Sequence, residues 1–270
     1  MPDPIMAFIP AYRCARQISR VLKQFDPAMQ QRLAEVVVVD NQSPDDTLAT
    51  AIEGLKSLRH VRVTALRNCD NYGLGGSHKV AFLRTLEKGY AGCLVLHGDD
   101  QGSIADIAPL LDAGAHQQYD ALLGARFMTG STLEGYSAFR TFGNHVFNGI
   151  YGLAAGKRFY DLGSGLNYFS ATRLADEDWR RFANDLTFNY YLSLAMVARD
   201  WRMHFFPLTW REDDQVSNVK LFSQARRTLG IAWEFLRDRE AFLAANHADR
   251  PADFAYPSEE MFTQAPQEGG

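Results

Sequence analysis

Apolar residues in the first half of the chain come in short runs, separated by stretches with helical spacing. Residues 6–9, 35–40, 61–66 and 92–97 read as strands, and 121–124 as a weaker one. The run Val36-Val37-Val38-Val39 is β-branched throughout, which favours a strand. Between these runs, Ile18, Val21, Leu22 and Phe25 share one helical face. Leu48, Ala51, Ile52 and Leu55 do the same, with Ser43 or Asp45 placed to cap that helix. Val80, Leu83 and Leu86 follow a glycine-rich stretch, and Ile104, Ile107, Leu110 and Leu111 follow Gly102-Ser103. A β-α-β-α order of this kind predicts an α/β fold with a mostly parallel central sheet flanked by helices.

The second half is less regular. Residues 139–153 have helical spacing, 166–170 read as a strand, 186–197 as a helix, and 204–207 as a short strand stopped by Pro207. Residues 221–243 have the pattern of one long C-terminal amphipathic helix, with Arg226, Arg227, Arg237 and Arg239 among its apolar positions. Beyond about 246 the chain is rich in Pro, Glu, Gln and Gly, which predicts a loose tail over 246–270. With no repeat and no linker, 1–245 reads as a single domain.

Composition narrows the classes. A formal net charge of -4 gives no general attraction to nucleic acid. Three cysteines without a C-x-x-C pair suggest neither a disulfide framework nor a zinc site, which fits a reducing cytosol. The start of the chain lacks the pattern of a signal peptide, and no window has the roughly 20 apolar residues that span a bilayer. Any membrane contact is therefore expected to be peripheral, on the cytoplasmic face.

In an open parallel sheet, ligands bind beyond the carboxyl ends of the strands. Here those ends read Pro10-Ala11-Tyr12-Arg13, Asp40-Asn41-Gln42-Ser43, Arg67-Asn68 and His97-Gly98-Asp99-Asp100-Gln101. A dinucleotide enzyme would need G-x-G-x-x-G after its first strand, and a P-loop would need Lys followed by Ser or Thr; neither is present. Asp40 can serve a nucleotide or cap a turn beside Ser43. Two adjacent carboxylates at 99 and 100 repel unless neutralised, which a divalent cation shared with a diphosphate would do, although Asp100 can also cap a helix. His97 can be a ligand or a packed polar side chain.

Taken in order, these features resemble family 2 glycosyltransferases of the GT-A fold, and most of all the dolichyl-phosphate mannosyltransferase and polyprenyl-phosphate glycosyltransferase branch. The likeness runs over about 6–233. It rests on Pro10-Ala11-Tyr12, on Val39-Asp40-Asn41-Gln42-Ser43-Pro44-Asp45-Asp46-Thr47 and on Asn71-Tyr72-Gly73-Leu74-Gly75-Gly76. His97-Gly98-Asp99-Asp100-Gln101 matches the metal motif D-x-D-x-Q. Gly124-Ala125-Arg126, Arg140 with Asn144, Asp161-Leu162-Gly163-Ser164-Gly165, and Arg211, Ser217 and Lys220 complete the set. Each motif alone is weak, and their shared order is specific.

The resemblance implies inverting transfer of a sugar from a GDP- or UDP-linked donor, assisted by Mg²⁺ or Mn²⁺. Asp99, Gln101 and His97 would form the metal site, with His97 where the family has its first aspartate. The nucleotide-binding half would be about 1–125 and the acceptor half about 126–245, and Pro10, Tyr12, Asp40, Asn68, Gly73, Lys79, Asp99 and Arg211 would bind the donor. Asp99, Arg126, Arg140, Asp161 and Lys220 would serve catalysis. Asn41 stands where the family has a second aspartate, and Asn189, Tyr190 and Tyr191 where it has an acidic residue. A phosphate acceptor needs no general base, and arginines suit phosphate. The expected acceptor is therefore a polyprenyl or other lipid phosphate, with a saccharide hydroxyl as the rival. A non-catalytic nucleotide-sugar-binding module is the alternative of another class. A homo-oligomer is compatible with the 221–243 pattern.

Overall fold

The computed structural model describes residues 3–212 and 221–267, the side chains of 221–224 excepted. Among the described residues ten strands form: β1 (Ile5–Ala11), β2 (Glu35–Asp40), β3 (Arg62–Asn68), β4 (Gly92–Leu96), β5 (Ala121–Ala125), β6 (Thr132–Glu134), β7 (Leu166–Ser170), β8 (Met203–Pro207), β9 (Thr209–Arg211) and β10 (Ser258–Gln264). Eight of them make one sheet in the order β10-β3-β2-β1-β4-β7-β5-β8, and β6 pairs with β9 beside it. The neighbours β3-β2-β1-β4 and β5-β8 are parallel, while β7 and β10 run antiparallel to their partners. The expected α/β sheet is therefore present, and its longer helices are α1 (Ile18–Lys23), α2 (Thr47–Leu55), α3 (Gly73–Glu87), α4 (Ala138–Ala155), α5 (Phe188–Ala198), α6 (Leu221–Arg237) and α7 (Arg239–Ala244).

Alternation along β1 sends Met6 and Phe8 into one buried layer, with Phe82 of α3 and Phe188 of α5. Ile5, Ala7 and Ile9 enter the other, with Val21 and Leu22 of α1 and Leu55 of α2. Both faces of the central strands are thus covered, which is why Val36 to Val39 are uniformly apolar. The strand order reverses between β1 and β4, so helices leave on opposite faces there and a crevice opens above the two carboxyl ends.

Two expectations change. The long helix over 221–243 is broken at Asp238, which is extended (φ −159°, ψ 101°) and caps α7 by accepting from the Ala241 N–H at 3.0 Å. The expected loose tail is ordered: residues 258–264 form β10 on the edge of β3. The apolar payload that seats this segment is concentrated in Phe254, Tyr256 and Phe262, too few residues to register against its Pro- and Glu-rich composition.

Candidate active site

The β1/β4 crevice holds a cleft of about 420 Å³. Its floor is Pro10, Ala11 and Tyr12 after β1, and His97, Gly98 and Asp99 after β4. One wall is Asn41, Asn71, Gly73 and Ser77; the other is Asp185 and Leu186 just before α5. The turns beyond β1, β2 and β4 each carry a non-glycine residue in the left-handed region: Arg13 (φ 52°), Gln42 (φ 61°) and Asp100 (φ 59°). Such conformations cost free energy and gather where the chain must aim particular groups.

At Asp100 that turn separates two neighbouring carboxylates. Asp99 faces the cleft. Asp100 turns back to α1, accepting from Arg20 Nε at 2.6 Å and from Gln24 Nε2 at 3.0 Å. Burial pushes the Asp99 carboxyl up to about 6, against the pull of the Gln101 N–H and of Arg126. The group is therefore poised to gain a cation, because any positive partner offsets its desolvation.

His97 lies under the Gly163-Ser164-Gly165 loop. Its N–H donates to the Gly165 carbonyl at 2.9 Å, and a side chain at Gly165 would press on the imidazole. Burial, with Arg126 nearby, pushes its pKa down to about 4, so the ring is neutral at pH 7. Its Nε2 is buried and meets no partner among the described residues. A neutral imidazole nitrogen and a carboxylate are both competent ligands for a divalent cation. Among the described residues no three His, Cys, Asp or Glu side chains converge on one point. A cation at Asp99 would accordingly take most of its shell from a bound diphosphate and water, as Mg²⁺ commonly does.

Other residues expected here are placed differently. Asp40 is fully buried and accepts from the Ser43 N–H at 3.2 Å, with Arg67 3.8 Å away, so it caps the turn. Asn68 lies behind the wall, donating to Asn41 Oδ1 at 2.9 Å and to Ser77 Oγ at 3.2 Å. Asn41 instead reaches the cleft and is knitted into it, donating to Asn71 and accepting from the Tyr72 N–H. An amide can do both, which the family's aspartate cannot.

Lys79 does not line the cleft. It is fully buried, and its Nζ donates to the Arg180 and Phe182 carbonyls, to Asn184 Oδ1 and to the Tyr256 hydroxyl at 2.6–3.1 Å. Burial pushes it down to about 7; Asp249 works the other way and Arg180 adds to the fall. The α3 face that carries Lys79 points away from the cleft, whereas Gly73 and Ser77 point into it. Gly73 has φ +71°, and a Cβ there would strike the Asn184 carbonyl.

Arg126 and Asp161 neutralise each other. The guanidinium forks onto the carboxylate at 2.7 and 2.8 Å and stacks on Trp210, 4.8 Å from the ring centroid. Arg140 is likewise paired, with Glu212 at 2.6 Å. These arginines are therefore not a bare phosphate-binding patch. Arg211 is exposed on β9, and its N–H holds the Gln101 carbonyl at 2.9 Å, so Gln101 is placed by the β9 edge and lies outside the cleft lining. Ser217 and Lys220 lie outside the described residues.

Cys14 and Ser77, to which the sequence motifs assign no role, both line the cleft. Ser77 is one helical turn beyond Gly73, a spacing that puts the two on one face and gave a usable signal. Cys14 carried none. Burial pushes its thiol up to about 12, so it is no nucleophile at neutral pH.

A mostly parallel sheet with a polar crevice at its switch point and an aspartate beyond the fourth strand defines a nucleotide-diphospho-sugar transferase architecture, the GT-A fold. The profile of "Glycosyl transferase family 2" matches residues 7–175. The chain belongs to that family and is a glycosyltransferase that uses a nucleotide sugar. No curated protein sequence matches it. Among solved structures it is similar to glucosyl-3-phosphoglycerate synthase from Mycobacterium tuberculosis in complex with UDP, at 14% identity and a TM-score of 0.58 over 98% of this chain and 90% of that one. It is also similar to mannosyl-3-phosphoglycerate synthase from Rubrobacter xylanophilus, at 15% identity and a TM-score of 0.56 over 88% and 74%. The Mycobacterium enzyme has also been solved with Mn²⁺, UDP and glucosyl-3-phosphoglycerate, again at 14% identity and a TM-score of 0.58, over 98% and 90%.

Proposed function

We propose that the chain transfers a sugar, with inversion, from a nucleoside diphosphate sugar in the β1/β4 cleft to an acceptor that carries a phosphate. The observation that carries this is the position of Asp99: a buried carboxylate facing the cleft, next to a neutral histidine whose Nε2 meets no partner among the described residues. Asp99, with His97 beside it, would hold Mg²⁺ or Mn²⁺. Such an ion, when bound, stabilises negative charge on the departing diphosphate.

The protein's own groups account for the rest. Tyr12 and Asn71 would border the nucleoside, and Gly73, lacking a Cβ, lets the start of α3 approach the Asn184 carbonyl across the cleft. Arg126, held rigid by Asp161 and Trp210, places a fixed positive charge close to Asp99 and His97. Inversion follows from one displacement: the acceptor oxygen bonds to the anomeric carbon from the face opposite the diphosphate, and the bond to the diphosphate oxygen breaks. Where the reacting oxygen is the phosphate's own, as in a lipid phosphate, no proton need be removed; where a hydroxyl of a phosphorylated acceptor reacts, its proton would pass to a carboxylate at the cleft, for which Asp185 is placed.

UDP is the first nucleotide to test, since the Mycobacterium neighbour is solved with it, and a GDP-linked sugar is the second. A phosphate on the acceptor is common to the expected lipid phosphate and to the phosphoglycerate named in those neighbours. The lipid source is supported by apolar side chains left in solvent on α4 (Phe139, Phe142, Val146, Leu153) and on α6 (Leu229, Trp233, Leu236). No helix among the described residues is long and apolar enough to cross a membrane, so such contact would be peripheral.

Asp185 favours a second reading. It lines the cleft half-exposed, and against its partial burial the Thr187 and Arg227 contacts prevail and hold its carboxyl below the ordinary range. It is the carboxylate placed to assist a hydroxyl acceptor. Radiolabelled UDP- and GDP-sugars with Mn²⁺, offered with polyprenyl phosphate, 3-phosphoglycerate or a plain saccharide, separate these cases. Transfer to either phosphate supports the proposal, and transfer to the saccharide alone replaces it with the Asp185 reading.

A further inference from the structure

The segment after α7 does more than complete the sheet edge. Pro257 accepts from the Cys69 N–H at 3.1 Å and from the Tyr72 hydroxyl at 2.9 Å. Tyr72 sits between Asn71 and Gly73, both of which line the cleft. Its ring meets Tyr256 edge-on at 5.4 Å and Phe254 at 5.9 Å. Arg250 covers Tyr72 at 5.1 Å and pairs with Asp70. One wall of the cleft is thereby fastened to the segment from three sides.

The same segment fastens the opposite wall. Asn184 immediately precedes Asp185 and Leu186. Its Oδ1 accepts from Tyr256 at 2.8 Å and from Lys79 at 2.8 Å, its amide donates to Asp249, and its carbonyl accepts from the Gly76 N–H at 3.2 Å. His247 and Ala248 donate to the Arg181 carbonyl at 2.7 and 3.1 Å. Tyr256 is 2% exposed and sits at φ 47°, a conformation that a bulky residue adopts only when its surroundings over-determine it. Hence the backbone accepts strain in order to bring one hydroxyl between Lys79 and Asn184.

We propose that residues 246–257 form a clasp that sets the width of the donor cleft, with Tyr256 and Lys79 as positioning residues acting through Asn184 on the Asp185-Leu186 wall. This rests on the reading of the cleft as the donor site. The clasp reinforces two chain segments that also meet directly, through Gly73, Gly75 and Gly76, through Lys79 and through His78 against Phe188. Weakening it therefore lowers donor affinity without touching any group that contacts donor.

The test compares Tyr256→Phe with Tyr151→Phe. Tyr151 is also fully buried and donates its hydroxyl to a carbonyl, that of Thr228 at 2.8 Å, but it lies outside the cleft lining. Tyr256→Phe is expected to raise the Kd for UDP with Mn²⁺ about fivefold. It should raise KM for donor with kcat little changed, and speed amide exchange at Gly76 and at 185–187. Tyr151→Phe should lower the melting temperature comparably and do none of this. Equal UDP affinity and equal exchange at 185–187 in the two variants would overturn the clasp. If the wild type binds neither UDP nor GDP, the donor-site reading fails, and exchange at 185–187 still decides the clasp: faster in Tyr256→Phe upholds it, unchanged ends it.

Discussion

Asp99 and Asp100 are consecutive in the chain and serve opposite sides of it. Asp99 faces the cleft, while Asp100, turned by a left-handed backbone, is bound to Arg20 and Gln24 of α1. Asp99→Asn should therefore cost about a hundredfold or more in transfer and remove its dependence on Mn²⁺. Asp100→Asn loses a partly exposed ion pair worth at most ~1 kcal/mol after solvent screening, with transfer within a few-fold of wild type. Initial rates and melting curves on both variants check this, and the reverse ranking would assign the site to the wrong carboxylate.

The Arg126–Asp161 pair allows a cycle. The Arg126 side chain is 12% exposed and that of Asp161 2%, so removing either alone strands a charge, a loss of about 3 kcal/mol or more. The double variant Arg126→Gln/Asp161→Asn should recover much of that stability. Its transfer rate should stay low, because the positive charge near Asp99 and His97 is gone. Urea midpoints beside rates on the four proteins separate the structural role from the electrostatic one.

How much was legible in the sequence follows from where the information lies. The valine run of β2 and the polar strand ends at 10–13 and 97–101 are readable, because period-two burial and strand-end motifs are local; the preference for Asp99 over Asp100 comes from the family resemblance. Lys79 was misplaced for a related reason. Its place just beyond the glycine-rich stretch fits the donor-binding role that the resemblance implies, but helical phase turns it away from Gly73 and Ser77 toward carbonyls at 180 and 182. Arg126 and Asp161 were each noticed, and their pairing was not, since 35 residues separate them. The order of 246–257 was hidden for the same reason: Tyr256 has meaning only beside Asn184 and Lys79, far away in the chain.

Acid sensitivity of the fold should trace in part to Glu35. Burial opposes its charge, but hydrogen bonds from Arg84, Thr64 and Tyr90 outweigh that and hold the carboxyl below its ordinary value. A carboxyl depressed in the folded state contributes its stability in full above the unfolded pKa of about 4.3, and loses it as pH falls through the lower folded value. Glu35→Gln should cost about 3 kcal/mol at pH 7, because Arg84 is left buried without its partner. It should also flatten the fall in urea midpoint below about pH 4.5. A variant that tracks the wild type through that window would show that the pair is not coupled to folding.

Thermal stabilisation by UDP- and GDP-linked sugars, with and without Mn²⁺, measured on the wild type and on Asp99→Asn, tests the central claim most directly. The account predicts that one nucleotide sugar raises the melting temperature of the wild type only when Mn²⁺ or Mg²⁺ is present, and that Asp99→Asn loses that rise. An equal, metal-independent rise in both proteins, or none in the wild type with any nucleotide sugar, would contradict it.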